Sequence, residues 1–285
     1  MTIYRLLPMA LLLALALASG SVMGQVLLAP TVPPPPTVAP ATLAPKPVKL
    51  IESNLDRPRP ASLIAVFGGF GLPAGQLASR FGGHATAGAS YTYLWPKKWA
   101  LTLEGAFGFG NRLKQDPLTS LRDSTGILAG ANGNPATITL TERFYLLPTL
   151  KVGKLFIVRR KRKPLQFEHA LLLQAGASYL AYQYGIEDVA KTVPLLDKTN
   201  KRGYDRLTGG PALLLEATYM LFAPNSKYSF FASLQLVGSV GKSLRKFDFG
   251  TGSADTKTYA SGMCNLRVGL SINIFKLDDK DYFYN

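Results

Sequence analysis

Residues 264–274 alternate without a break. Cys264, Leu266, Val268, Leu270, Ile272 and Ile274 take the even positions; Asn265, Arg267, Gly269, Ser271 and Asn273 take the odd ones. Successive side chains of a β-strand point to opposite faces, so this period specifies a strand with one apolar and one polar face. The pattern recurs along the chain. Segment 228–240 sets Tyr228, Phe230, Ala232, Leu234, Leu236 and Val240 against Ser229, Ser233, Gln235 and Ser239. Segment 212–222 sets Leu213, Leu215, Ala217, Tyr219 and Leu221 against Glu216 and Thr218, and 167–182 sets Phe167, Leu171, Leu173, Ala175, Ala177 and Tyr179 against Glu168, Gln174 and Ser178. In 140–153 the apolar set is Leu140, Phe144, Leu146, Leu150 and Val152, opposite Thr141, Arg143, Thr149 and Lys151. Segments 99–109 and 84–95 repeat the pattern, and 62–70 adds a strand without clear sidedness.

Eight strands result. The gaps at 71–83, 110–138, 183–208 and 241–257 are long; those at 96–98, 157–166 and 223–227 are shorter. The expected fold class is therefore all-β: an eight-stranded antiparallel transmembrane β-barrel with long extracellular loops and short periplasmic turns, covering residues 61–285. A soluble barrel or sandwich carries the same period with its faces reversed. Three features favour the membrane version. The polar face is rich in Ser, Thr and Gly, with only isolated charges. Many segments exceed the ~5–6 residues of an ordinary strand and reach the ~9–11 that span a bilayer. Aromatic residues collect at the short-turn end, where Tyr93, Trp95, Trp99, Phe167, Tyr228, Phe230 and Phe275 would form a girdle.

The segments before the barrel fit that destination. Residues 1–24 read as a secretory signal: Arg5, then an apolar run from Leu6 to Ala18 too short to span as a helix, then small residues up to Gly24. Residues 25–60 form a proline-rich stretch, including Pro33, Pro34, Pro35 and Pro36, that favours an extended spacer in the periplasm. These features, the alternating strands and the aromatic ending Tyr282-Phe283-Tyr284 resemble small outer-membrane β-barrel proteins of the Bacteroidota. The stretches 121–126 (LRDSTG) and 203–210 (GYDRLTGG) resemble loops of an uncharacterised group of them. The resemblance implies a bacterial outer-membrane location with periplasmic termini and carries over no functional residue.

On the barrel reading the inward set includes Glu104, Arg143, Lys151, Glu168, Glu216 and Arg267, with Gln174, Gln235 and Asn265. Unpaired buried charge costs several kcal/mol, so these acids and bases are expected to pair, with Glu104–Lys151 the first choice. Glu142 and Pro148 fall on the outward face of the fourth strand, and Pro148 suggests a bulge.

The composition excludes some chemistry. One cysteine cannot make an internal disulfide, and one Cys with two His cannot build a four-ligand structural zinc site. The 32 Lys and Arg outnumber 17 Asp and Glu, giving a formal charge of +15. The densest run, Arg159, Arg160, Lys161, Arg162 and Lys163, falls in a periplasmic turn, where anionic lipid headgroups or an acidic partner are its counterparts. Nucleic acid is not an expected partner of a secreted membrane chain. No catalytic residues, cofactor or metal site are assigned. A rim set of His84 with Asp116, Asp123 and Ser124 has no supporting spacing, and His169 lies near the periplasmic girdle. The expected function is a non-enzymatic structural or adaptor protein, sitting in outer-membrane lipid and binding an envelope partner through its loops, basic turn or proline-rich segment. A rim enzyme acting on lipid or peptide, and a narrow transporter, are the alternatives.

Overall fold

A computed structural model describes residues 59–131, 133–159, 166–197, 200–223, 227–245 and 247–275. Residues 1–24, expected as a secretory signal, almost all of the proline-rich stretch and the aromatic ending lie outside the described residues. So do residues 160–163 of the basic turn and the side chain of Arg159.

The eight strands are β1 (Ala61–Gly75), β2 (His84–Leu94), β3 (Trp99–Gly110), β4 (Thr139–Arg159), β5 (Glu168–Glu187), β6 (Thr208–Phe222), β7 (Tyr228–Ser243) and β8 (Thr258–Phe275). Each pairs antiparallel with its neighbours, and β1 closes on β8 from Ala61↔Phe275 to Gly75↔Ser261, so the sheet is a barrel without free edges. Several strands run past the limits of the alternating segments. β4 has 21 residues and β5 has 20, because their pairing continues to Glu187 at the loop end and to Arg159 at the turn end.

The wall is the inverse of a soluble barrel. Leu213 is 73% exposed and Leu266 and Val268 61%, with Val66, Leu103, Leu150, Leu236 and Ile272 also outward. Their neighbours in the same strands, Thr102, Glu104, Glu216, Gln235 and Arg267, are buried. These side chains form an apolar belt around the wall, and closure leaves the sheet no free edge, as hydrocarbon requires. At the short-turn end Trp95, Trp99, Phe167, Tyr228 and Phe230 are exposed, and Tyr93 packs edge-on against Trp95 at 5.2 Å. The Lys154 ammonium sits 5.8 Å from the Trp99 ring, a cation held over an aromatic at the wall. Phe275 departs from this set: it packs against the inner cluster of Ala61, Leu63, Leu94 and Phe222. Its odd position in β8 gives it the same face as Ser271 and Asn273.

β4 changes phase halfway. Between the pairs Glu104↔Thr149 and Ala106↔Leu146, β4 carries two residues, Leu147 and Pro148, where β3 carries one; the same extra residue appears against β5. An added residue in a period-two element reverses every side chain beyond it. Below the bulge Thr149, Lys151 and Leu155 face inward; above it Glu142, Phe144 and Leu146 do. The sequence expectation for this half-strand is thus overturned. Glu142, placed outward, is fully buried, and Arg143, placed inward, reaches the rim and pairs with Glu187 at 2.5 Å.

Candidate functional site

The lumen is filled in layers. Its middle holds a closed ring of four charges. Lys151 Nζ donates to Glu104 Oε2 at 2.5 Å and to Glu216 Oε2 at 2.6 Å. Arg267 donates through Nη1 to Glu104 Oε1 at 2.7 Å and through Nη2 to Glu216 Oε1. Two acids and two bases alternate, so the ring carries no net charge and every carboxylate oxygen has a partner. Amides and hydroxyls complete it: Gln235 Nε2 donates to Glu104 at 3.2 Å, Asn265 Nδ2 donates to Gln235 at 3.0 Å, and Ser233 accepts from Arg267 Nε at 3.2 Å. The Arg267 guanidinium also lies 4.5 Å over the Phe67 ring. Gly176 opposite Lys151 leaves the lysine stem its course, since a Cβ there would fall 2.8 Å from Lys151 Cγ.

The ring draws on β3, β4, β6 and β8, residues far apart in sequence that barrel closure brings to one height. Of the six residues assigned inward, it gathers Glu104, Lys151, Glu216 and Arg267. Arg143 is at the outer rim, for the reason given above. Glu168 is buried at the short-turn end of β5, in register with Phe222.

Apolar layers close the ring above and below. On the short-turn side Leu63, Leu94, Leu155, Leu172, Met220 and Phe222 pack together. On the loop side Phe144, Leu146, Leu180, Tyr182 and Tyr184 point inward, and the loops fold down onto them: Leu77 and Phe81 from 76–83, Leu118 from 111–138, Leu196 from 188–207. Phe81 meets Phe144 edge-on at 5.2 Å and Tyr184 at 4.8 Å. Only small voids flank the ring, about 40 Å³ towards the turns and about 20 Å³ towards the loops. The polar interior read from the sequence is thus a polar middle, extended towards the turns by Thr92, Thr102, Gln174 and Thr218, between two greasy plugs. The upper plug escaped sequence reading because its loop residues have no period to mark them as inward.

The loops are also tied to one another. Arg245 forms a two-pronged contact with Asp205, Arg206 pairs with Asp248 at 3.0 Å, and Phe249 N donates to Gly203 O at 3.0 Å. These contacts join loop 188–207 to loop 244–257. Within 111–138, Asp116 accepts from Arg122 at 2.5 Å and from the Leu118 amide at 2.8 Å. Asp123 accepts from the Thr125 hydroxyl and from the Thr125 and Ile127 amides. Those donors, the Thr125 hydroxyl foremost, hold the Asp123 carboxyl below its ordinary range. The Asp205 hydrogen bonds raise the Arg245 guanidinium above its own.

The candidate rim set is not assembled. Asp116 and Asp123 engage partners in their own loop, whereas His84 is 1% exposed and stacked on Phe144 at 4.1 Å. His169 lies on the outer wall, its Nδ1 2.6 Å from the Tyr219 hydroxyl. Among the described residues no group of three His, Cys, Asp or Glu is placed to hold a metal ion.

No protein-family model matches this chain, and no curated protein matches it by sequence. Solved structures with a similar course of chain include Ail, the attachment invasion locus protein of Yersinia pestis, in complex with the heparin analogue sucrose octasulfate (TM-score 0.41, 10% identity, 76% of this chain and 99% of that one). Neisserial surface protein A gives TM-score 0.41 and 8% identity over 74% of this chain and 96% of its own. OprG of Pseudomonas aeruginosa gives 0.37 and 9% over 76% and 97%. Likenesses this distant transfer neither a residue nor an activity.

Proposed function

We propose that this chain is an integral β-barrel of a bacterial outer membrane that works through its external loop layer and does not conduct through its lumen. The carrying observation is the layered lumen: an ion ring fully paired within itself, between two apolar plugs, leaves solute no polar route. The outward apolar belt supports the membrane location, and the ion pairs that weld loop 188–207 to loop 244–257 support a preformed binding surface. Pre-organisation of this kind lowers the ordering cost of binding. On this reading residues 1–24 direct export and the termini are periplasmic. The proline-rich stretch spaces the barrel from the envelope interior, and the basic turn Arg159–Lys163 meets anionic headgroups. The partner is an envelope protein, and the chain performs no catalysis. The finer kinship with Bacteroidota barrels belongs to the same proposal.

Two measurements test it. In planar bilayers the purified barrel is expected to give no conductance steps; regular steps would replace the reading with a transporter. Gentle extraction followed by mass spectrometry is expected to retain a partner, and the double variant Arg245→Ala/Arg206→Ala, which removes both ion pairs between the loops, to lose it. Repeated recovery of the barrel alone would overturn the adaptor role.

A further inference from the structure

Above the ion ring the polar groups do not close among themselves. His84 Nδ1 and Nε2, Thr86 Oγ1 and Asn265 Oδ1 are buried and complete no hydrogen bond with a protein group. The one protein group within reach of the His84 ring is the Gly82 backbone, which can serve one ring nitrogen and leaves the other without a partner. All three residues line the same void of about 20 Å³, with Gln235 and Arg267. A buried polar atom left unpaired costs roughly 1–3 kcal/mol, so three such residues converging on one void point to something that bonds them. A void of about 10–15 Å³ or more accepts one water, provided two to four polar groups face it. This void meets both conditions. Gly71 keeps the approach open: a Cβ there would fall 2.4 Å from His84 Nε2 and 2.6 Å from Asn265 Oδ1.

We propose that His84, Thr86 and Asn265 bind one internal water, and that this water joins the ion ring to the outer rim of the barrel. The water's donors and acceptors balance, and the Gly82 backbone stands beside the ring to take the remaining N–H. The water donates one hydrogen to Asn265 Oδ1 and the other to the unprotonated ring nitrogen of His84, and it accepts from the Thr86 hydroxyl. Asn265 Nδ2 already donates to Gln235, and Gln235 Nε2 to Glu104. An unbroken polar chain therefore runs from Glu104 through Gln235, Asn265 and the water to His84. The His84 ring also borders a wider open pocket of about 620 Å³ at the rim, shared with Asn111, Glu142, Arg143 and Glu187. It stands between the two spaces, flat against Phe144. On the other side of the ring Thr218 donates to Glu216 at 3.0 Å and Gln174 to Thr102 at 2.7 Å, and Leu94, Leu155 and Phe222 close the lumen beyond them. The water site rests on barrel geometry and stands or falls separately from the membrane reading.

The chain has two histidines, so His169→Gln leaves His84 as the one imidazole. With the full-length chain in lipid nanodiscs, the measurement is the nuclear Overhauser effect between the His84 ring protons and water. A bound-water cross-peak is expected, together with a single neutral tautomer. In Thr86→Val/Asn265→Leu the cross-peak is expected to vanish while the amide spectrum keeps its dispersion. No cross-peak in the parent, or one of equal strength in the variant, overturns the proposal. If the double variant does not fold, Thr86→Val alone is read the same way, with loss of at least about half the intensity expected and unchanged intensity counting against the site.

Discussion

The ion ring and the His84–Glu142 region occupy the same lumen at nearly the same burial, yet their polar groups are treated in opposite ways. Glu104, Lys151, Glu216 and Arg267 saturate one another. Glu142, 0% exposed, has only the backbone of Gly82 and Arg112 and the Arg112 charge beside it, and His84 has only the Gly82 backbone. The difference follows from where each residue sits on its strand. The ring residues come from uninterrupted alternation, so four strands deliver matched charges to one level. Glu142 is turned inward by the β4 bulge and arrives at a level where the facing strands bring Gly110 and aromatic side chains. Burial alone therefore does not say what a charge contributes; the partners that closure supplies decide the sign.

The largest effect is expected in the ring. Lys151→Met leaves two carboxylates facing one guanidinium, and breaking a buried pair in this way costs about 3–5 kcal/mol. It should appear as a lower urea midpoint for the barrel in lipid vesicles. Replacing all four ring residues by apolar side chains of similar volume should cost less than that single change; a larger loss would mean the ring is more than compensated charge. Glu142→Leu carries the opposite sign. No side chain hydrogen-bonds this buried carboxylate, so removing it should raise the same midpoint by about 1–3 kcal/mol, and a fall would show that the backbone of Gly82 and Arg112 and the Arg112 charge outweigh its burial.

Gly71→Ala probes the boundary between the two regions. Its methyl must displace His84 or Asn265, an overpacking expected to cost about 1–3 kcal/mol and to alter the His84 ring resonances while those of His169 stay put. At the loop layer the changes are smaller. Asp205→Asn removes a partly exposed pair with Arg245, worth about 1 kcal/mol or less, and should speed amide exchange across 200–207 and 244–250 without moving the barrel amides. Asp123 gives the mildest signal. Its carboxyl titrates lower in the folded loop than in the unfolded chain, so its contribution is complete above the unfolded value and is lost as pH falls through the folded one. The Thr125 and Ile127 amide resonances should follow that acid titration, and Asp123→Asn should abolish their pH dependence.

Much of the architecture was legible before any coordinates. Alternation gives β2, β3, β5, β6, β7 and β8 a wall face and a lumen face and places Glu104, Glu216 and Arg267 inward, although in β5 and β6 the lumen face also carries Leu172, Leu180, Tyr182, Leu214, Met220 and Phe222, which polarity does not mark. β1 lacked sidedness for a physical reason: Ala61, Leu63, Ala65 and Phe67 face an apolar part of the lumen, while Ile64 and Val66 face out, so both sides of the strand are greasy. Pro148 did mark a bulge. Its consequence, the reversed half-strand that exchanges the places of Glu142 and Arg143, had to be carried through all residues above it. Phe275 could have been assigned inward by parity, since it continues the odd series of β8.

What the sequence by itself determined is the set of strands, their closure into a barrel and the face taken by residues in unbroken alternation, because side-chain parity is a local property of an extended backbone. Only the tertiary structure decided which charges meet, that greasy plugs close the lumen above and below them, and that His84, Thr86 and Asn265 converge on one void. Those outcomes depend on the stagger with which eight strands close and on how loops fold back into the mouth, and neither has a period that can be read along the chain.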